Sequence, residues 1–175
     1  MDTKKSLWIF VGCIIIAALF FGFIIEAKAE TMKWRASTYI NQMEILPVGD
    51  TEGHVLFMGS RKGLAHFENG DVAVFVNWWT GDVTKGHGPN QGYVLYTFED
   101  GSTFVGKFES TQSPGPKGFA LQKGSGKFIK GTGRFEGIQG DLTFEGRSLA
   151  PYSKEKGLLS DMYFDAVATY TLPRK

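Results

Sequence analysis

Apolar and polar residues after position 30 alternate with the two-residue period of β-strands rather than the 3.6-residue period of helices. Aromatic and β-branched runs are cut at short intervals by glycine pairs and by Asn-Gly, Asp-Gly and Pro-Gly turns, which is typical of an antiparallel β protein. About eight strands in one domain favour a small closed barrel or a sandwich. The pattern predicts strands and hairpins over 33–46, 54–60, 63–79, 92–110, 118–130, 140–149 and 161–172.

The first hairpin contains Asn69-Gly70, the strongest signal for a two-residue turn. That turn pairs Phe67 with Val72 and makes one face of the hairpin apolar. By this register Trp78 lies in the core, while Trp79 lies outside or at the rim. The predicted apolar face consists of Ala65, Phe67, Val72, Val74, Val76 and Trp78.

The second hairpin can turn through two residues, Asp100-Gly101, or through three, Glu99-Asp100-Gly101. The three-residue loop pairs Phe98 with Ser102 and places Gly101 in a left-handed conformation. We favour it because it separates an aromatic face from a polar one, whereas the shorter loop scatters aromatic residues over both faces. The predicted inner face consists of Val94, Tyr96, Phe98, Phe104, Gly106 and Phe108.

Three polar segments rich in glycine or proline, 80–91, 111–118 and 150–160, are predicted to be rim loops on this scaffold, where binding residues are often carried.

The first 29 residues have the pattern of an export signal. Lys4 and Lys5 precede an apolar run over 7–25, and Ala27-Lys28-Ala29 provides a cleavage site after Ala29. The alternatives are an uncleaved membrane anchor over 7–25 and, more weakly, a lipoprotein modified at Cys13. In each case residues 30–175 form one exported domain, periplasmic or secreted.

The composition of that domain excludes several kinds of function. Cys13 is the only cysteine in the chain, so the domain has no disulfide, thiol nucleophile or thiolate metal site. Without the three basic and two acidic residues of the N-terminal segment, basic and acidic residues are equal in number. This balance does not favour a nucleic-acid partner.

The stretch "GSGKFIKGTGRFEGIQGDLTFEG", followed by "DMYFDAVATYTLP", resembles the barrels of the allene oxide cyclase and dirigent-protein families. The resemblance covers about the last third of the chain. It implies an eight-stranded antiparallel barrel with a tight glycine corner between two strands, and aromatic side chains that plug the interior. The residues that carry it are Gly131, Gly133, Phe135, Gly137, Gly140 and Phe144.

Candidate catalytic groups are few. The histidines lack metal-ligand spacing, and neither a serine-nucleophile motif nor a phosphate-binding loop is present, so no metal or cofactor is predicted. His87 lies in a predicted rim loop. Glu44 lies in "YINQMEIL", where neither alternating phase is cleanly apolar; part of this strand could face a polar cavity in which a carboxylate acts as acid or base.

These observations predict an exported barrel that binds a small, partly apolar molecule in its mouth without catalysis. One alternative is a cyclase or isomerase that uses Glu44 or His87, and another is an interaction domain with a filled barrel. The predicted ligand-binding residues are Trp78, Tyr96, Phe98, Phe104 and Phe108, with Trp79 and His87 at the rim.

Overall fold

Eight antiparallel strands, each hydrogen-bonded to the next in the chain, close into a barrel when the last strand pairs with the first. The computed structural model describes residues 28–151 and 161–173, so nearly all of the predicted signal or anchor lies outside the described residues. The strands are β1 Glu30–Pro47, β2 His54–Phe67, β3 Val72–Thr84, β4 Gly88–Phe98, β5 Thr103–Pro114, β6 Ala120–Thr132, β7 Gln139–Ser148 and β8 Met162–Thr171. Single turns of 3-10 helix occur at Pro116–Gly118 and Gly133–Phe135.

The stagger of the strands fixes the width of the barrel. The stagger is seen by following directly opposite residues from each strand to the next, starting at Phe57 on β2. After one circuit of the barrel this path reaches β2 again at Phe67, ten residues further along. An eight-stranded barrel has an interior that side chains can fill or that holds one small ligand. The predicted barrel is therefore confirmed, and the sandwich is excluded.

The two ends of the barrel differ in their connections. We call the end with the connections 68–71, 99–102 and 133–138 the plugged end. We call the end with the connections 48–53, 85–87 and 115–119 the polar end. The predicted loop over 150–160 belongs to the polar end, and its residues 152–160 lie outside the described part of the chain.

Strand β2 is longer than predicted. The expected break between a strand ending at residue 60 and a hairpin starting at residue 63 is wrong, because β2 is continuous from His54 to Phe67. A Cβ atom on Gly63 would overlap the carbonyl oxygen of Ser37 on β1. This glycine therefore permits a close approach of two strands and does not mark a turn.

The prediction of a loop over 80–91 is also wrong. β3 continues to Thr84 and β4 begins at Gly88, while Thr84 and His87 exchange backbone hydrogen bonds of 2.9 and 3.0 Å. The turn residues Lys85 and Gly86 have φ values of +52° and +80°. Left-handed conformations at both positions define a type I′ hairpin turn, which the sequence Lys-Gly signals less clearly than Asn-Gly does. In the 111–118 segment, likewise, β5 extends to Pro114.

The first hairpin turns through three residues, not two. The amide of Phe67 donates to the carbonyl of Asp71 at 2.9 Å, and the amide of Gly70 donates back to Phe67 at 3.0 Å. Gly70 has a φ of +91°. The predicted pairing of Phe67 with Val72 is therefore wrong by one residue, and this slip turns every side chain of β3 to the opposite face.

The second hairpin confirms its prediction. The amide of Phe98 donates to Ser102 at 2.9 Å, that of Gly101 donates to Phe98 at 3.0 Å, and Tyr96 pairs with Phe104. Tyr96, Phe98, Phe104 and Phe108 consequently face the interior, where each is at most 5% exposed, whereas Tyr93 lies on the outer face.

A bulge in β1 explains the mixed pattern of "YINQMEIL". Pairing with β2 shifts between Ile40 and Gln42, so Asn41 is an extra residue in β1. The alternation of inward-facing and outward-facing side chains therefore shifts by one residue at this point. Beyond the bulge, Met43 and Ile45 share the inward face with Phe57. Glu44 points outward and is exposed.

The glycine-rich corner between β6 and β7 has the predicted form. Gly133 and Gly137 have φ values of +61° and +74°, and a Cβ atom on Gly131 would overlap the carbonyl of Phe135. The corner buries Phe135 and Ile138 at the plugged end, while Phe144 on β7 is partly buried in the barrel interior.

Candidate functional site

Aromatic side chains fill the plugged end of the barrel. Phe104, with no exposed surface, lies at the centre of this cluster. Its ring centroid is 4.6 Å from that of Tyr96, 5.1 Å from Phe128 and 5.2 Å from Phe135. We call this cluster the aromatic plug; its members are Trp34, Phe67, Tyr96, Phe98, Phe104, Phe128 and Phe135.

The polar atoms within the plug bond to each other. The indole Nε1 of Trp34 donates to the hydroxyl of Tyr96 at 2.9 Å, and burial raises the pKa of Tyr96. Tyr96, Phe98 and Phe104, which the sequence assigned to a ligand site, pack here against other side chains. Phe108 lies deeper in the barrel, with its ring centroid 5.6 Å from that of Phe144.

The two neighbouring tryptophans have the opposite placement from the one predicted. Trp79 is 6% exposed and faces the interior, whereas Trp78 is 50% exposed on the outer face, opposite Tyr93. The assignment of Trp78 to a lining position is therefore wrong, because the three-residue turn shifts the register of β3 by one residue.

Beyond the plug, towards the polar end, the interior carries polar side chains. Most strands contribute at least one buried polar residue, where a core would normally be apolar. These inward residues are Thr38, Arg61, Asn77, Asn90, Ser110, Gln122 and Ser148.

Several of these groups have hydrogen-bond partners within the protein. Thr38 donates to the carbonyl of Met162 at 3.0 Å. Ser148 accepts the amide of Ala120 at 3.0 Å and donates to the carbonyl of Ala150. Gln122 Nε2 donates to Ser110 Oγ at 2.7 Å.

Two buried asparagine side chains in this region have polar atoms without such partners. Asn90 is 3% exposed, and neither its Oδ1 nor its Nδ2 has a hydrogen-bond partner; Asn77 is 6% exposed, and its Oδ1 is likewise unpaired. Buried polar groups nearly always have partners, and an exception calls for an explanation. Because the oxygen and the nitrogen of the Asn90 amide are both unpaired, exchanging their positions by turning the amide would still leave it without a hydrogen-bond partner.

Arg61 brings a positive charge into the same region. Its guanidinium lies 5.0 Å from the ring centroid of Trp79. Burial lowers its pKa to about 10, while the negative charge of Asp161 acts in the opposite direction. A cation that faces an indole ring in a desolvated site gains a favourable electrostatic contact.

The polar residues form two cross-strand pairs at different levels of β3 and β4, because Asn77 is opposite Val94 whereas Asn90 is opposite Gly81. Arg61 is directly opposite Asn77 on β3, and Ser110 on β5 is directly opposite Asn90 on β4. We call the set Arg61, Asn77, Asn90, Ser110 and Gln122 the polar collar.

The ring of Phe57 and the backbone of Gly81 lie against Asn90. A Cβ atom on Gly81 would overlap both the ring of Phe57 and the Oδ1 atom of Asn90, so this ring and this amide meet above the glycine backbone. Phe57 in turn packs edge-on against Trp79, with 6.0 Å between centroids. The collar thus combines hydrogen-bonding groups with flat apolar surfaces.

A small internal cavity of about 30 Å³ lies between the plug and the collar. Asn77 and Gln122 contribute its polar wall, and Phe108 and Phe144 contribute to its apolar wall. Its volume is close to the share of one water molecule in the liquid.

The predicted catalytic candidates lie elsewhere. Glu44 is on the exposed outer face of β1 and not in the polar cavity considered for a catalytic carboxylate, because the bulge at Asn41 turns it outward. His87 is exposed at the β3–β4 turn, at the rim as predicted. Sequence reasoning missed Asn77 because of the register slip, and Asn90 because its segment was predicted to be a loop.

His54, about which the sequence indicated little, joins two carboxylates on the outside of the polar end. Its Nδ1 lies 2.5 Å from Asp50 Oδ1, and its Nε2 lies 2.7 Å from Asp82 Oδ1. The hydrogen bonds to Asp82 and Asp50 raise the pKa of His54. This imidazole therefore ties the β1–β2 connection to β3.

No protein-family model matches the chain, and a comparison with curated proteins finds no match either. Among residues 28–151 and 161–173, no group of three or more histidine, cysteine or acidic side chains could hold a metal ion. Within the same ranges, no helix has the length and apolar character needed to span a membrane.

Proposed function

We propose that this protein binds a small, partly apolar molecule at the polar end of its barrel, within the polar collar. The observation that carries the proposal is Asn90, whose amide is buried inside the barrel with both polar atoms unpaired. Each unsatisfied buried group costs about 1–3 kcal/mol of stability. A ligand that bonds to this amide would remove that cost, while the rings of Phe57 and Trp79 would contact its apolar part.

The proposed site differs from the one predicted from the sequence. The aromatic plug occupies the space that Tyr96, Phe98 and Phe104 were predicted to leave for a ligand. The amide atoms of Asn90 are buried, so side chains at the polar end must change rotamer to admit a ligand to them, as is common on binding.

A filled barrel that acts as an interaction domain is the second candidate. The dense plug and the small volume of the cavity favour it. In that case ordered water molecules would satisfy the asparagine amides, as they often do in protein interiors. The enzyme alternative gains no support from Glu44 or His87, since the buried polar residues of the described chain include neither a carboxylate nor an imidazole.

We also propose a family relationship and a cellular location for this protein. The resemblance to allene oxide cyclase and dirigent-protein barrels is supported by the eight-stranded fold and the glycine corner alone. The location we propose is an exported one, periplasmic or secreted, which the basic and apolar N-terminal pattern supports.

The proposal is tested by native mass spectrometry of the protein purified from its own exported compartment. We expect an excess mass that is released on denaturation and is absent from the Asn90→Leu variant. Gln91→Leu is the matched control, because Gln91 is the next residue on β4 and points outward. Bare wild-type protein, together with a high-resolution crystal structure that shows water bonded to Asn90, would support the filled barrel instead.

A further inference from the structure

Asn90 also restricts the chemistry of the ligand, an inference that rests on the proposed function. A carboxamide has one acceptor oxygen with two lone pairs and two N–H donors. In the described structure none of these is used by the protein. A group that complements Asn90 must therefore offer a donor and an acceptor side by side.

The acceptor oxygen of Asn90 limits the choice further. Its Oδ1 atom is buried and unpaired, so a ligand group that only accepts hydrogen bonds would leave this oxygen unpaired in a desolvated site. Carboxylates, which have acceptors alone, are thus poorly matched to the Asn90 carboxamide.

The surroundings of Asn90 favour a flat ligand. The Phe57 ring reaches the Asn90 amide above Gly81, and Trp79 packs against Phe57. Aromatic rings arranged in this way present flat apolar surfaces, on which planar groups pack with favourable geometry.

We infer that the ligand carries an uncharged amide-type group, such as a primary amide or a lactam, which pairs its N–H and C=O with the Asn90 carboxamide. The planar amide then contacts the Phe57 ring, which meets the Asn90 amide above Gly81. Paired hydrogen bonds of this kind fix the orientation of the ligand as well as its position.

The test uses defined probes and the purified protein. Acetamide and benzamide supply the donor and acceptor pair. Their N,N-dimethyl forms lack the donor, and acetate and benzoate have acceptors only. Binding to the wild type and to each variant is followed through the backbone ¹⁵N–¹H signals of the barrel. The side-chain ¹⁵N–¹H₂ signal of Asn90, which is identified by its loss in Asn90→Leu, locates the site in the wild type.

We expect at least one primary amide to shift the Asn90 signal and to bind at least about tenfold more tightly than its N,N-dimethyl and carboxylate counterparts, because those leave buried groups unpaired. Asn90→Leu should remove this preference, and Gln91→Leu should retain it.

Two results would overturn the inference. Equal binding of all the probes, unaffected by Asn90→Leu, would show that the amide does not select the ligand. Absence of amide binding to a protein that still carries a ligand in native mass spectrometry would refute the ligand class but leave the proposed function intact. If the purified protein is also bare, with water bonded to Asn90, both proposals fail.

Discussion

At the scale of single residues, the asparagines of the collar stand out because the structure around them is otherwise well satisfied. Gln122, Ser148 and Thr38 all find partners within the same end of the barrel. An amide such as Asn90, buried without partners, lowers the stability of the folded protein. Binding sites commonly retain groups of this kind because function requires them.

This reasoning predicts the effect of Asn90→Leu on stability. Leucine branches at the same position as asparagine but has no polar atoms, so the substitution removes the desolvation cost of the amide. We expect the free energy of unfolding of the ligand-free protein to rise by about 1–3 kcal/mol, as measured by urea denaturation. A loss of stability would mean that the amide has partners, such as bound water, and would count against the proposed site.

At the scale of strands and turns, the prediction for the second hairpin was confirmed, whereas the prediction for the first was wrong by one residue. In the second hairpin only one register segregates the aromatic residues, so the pattern decides the turn length. In the first hairpin both faces of β3 are apolar, with Val74 outside and Phe75 inside. The pattern could not choose between the two registers, and the conformation of Gly70 determined the result.

The orientation of β3 predicts that two adjacent substitutions destabilise the protein to different extents. Trp79→Ala removes a buried indole and its contact with Arg61, and we expect a loss of about 3–5 kcal/mol in the free energy of unfolding. Trp78→Ala affects a half-exposed side chain and should cost about 1 kcal/mol or less. Chemical denaturation of both variants measures the difference, and a reversed order would restore the register predicted from the Asn-Gly turn.

The candidate site was less predictable than the strands for a physical reason. A polar residue within an alternating pattern indicates the solvent face, so asparagines that point inward give no signal of their own. Asn90 had in addition been assigned to a loop, because Gly86 and Gly88 beside it indicate a break. Arg61 was missed because charged residues are rarely buried.

At the scale of the whole molecule, the barrel was predictable because its evidence is spread along the chain. Short strands, regular turns and the glycine corner all favour one architecture, and an error in one hairpin does not change it. The division of the interior into a plugged end and a polar end depends on side-chain orientation in every strand. That division became visible only with the complete register.

Ionisable groups on the outside of the barrel predict how overall stability depends on pH. Among the described residues, the pKa values of three carboxyl groups are lowered. Asp165 is bonded to Arg35, Asp100 accepts the backbone amide of Ser102, and Asp50 is bonded to His54. Groups with lowered folded-state pKa values stabilise the protein above their unfolded pKa of about 4, and this contribution is lost as the pH falls through the folded-state values.

The contribution of His54 to stability depends on pH in the opposite direction. Because Asp82 and Asp50 raise its pKa, its contribution is fully present below the unfolded value of about 6.5 and is lost as the pH rises through the folded-state value. We therefore expect the melting temperature to decline on the alkaline side in the wild type. His54→Gln should have a lower melting temperature than the wild type near pH 5.5 and a smaller difference near pH 9. A difference between the two proteins that is the same at both pH values would show that the imidazole carries no charge in the folded protein, and that it joins β3 to the β1–β2 connection through neutral hydrogen bonds alone.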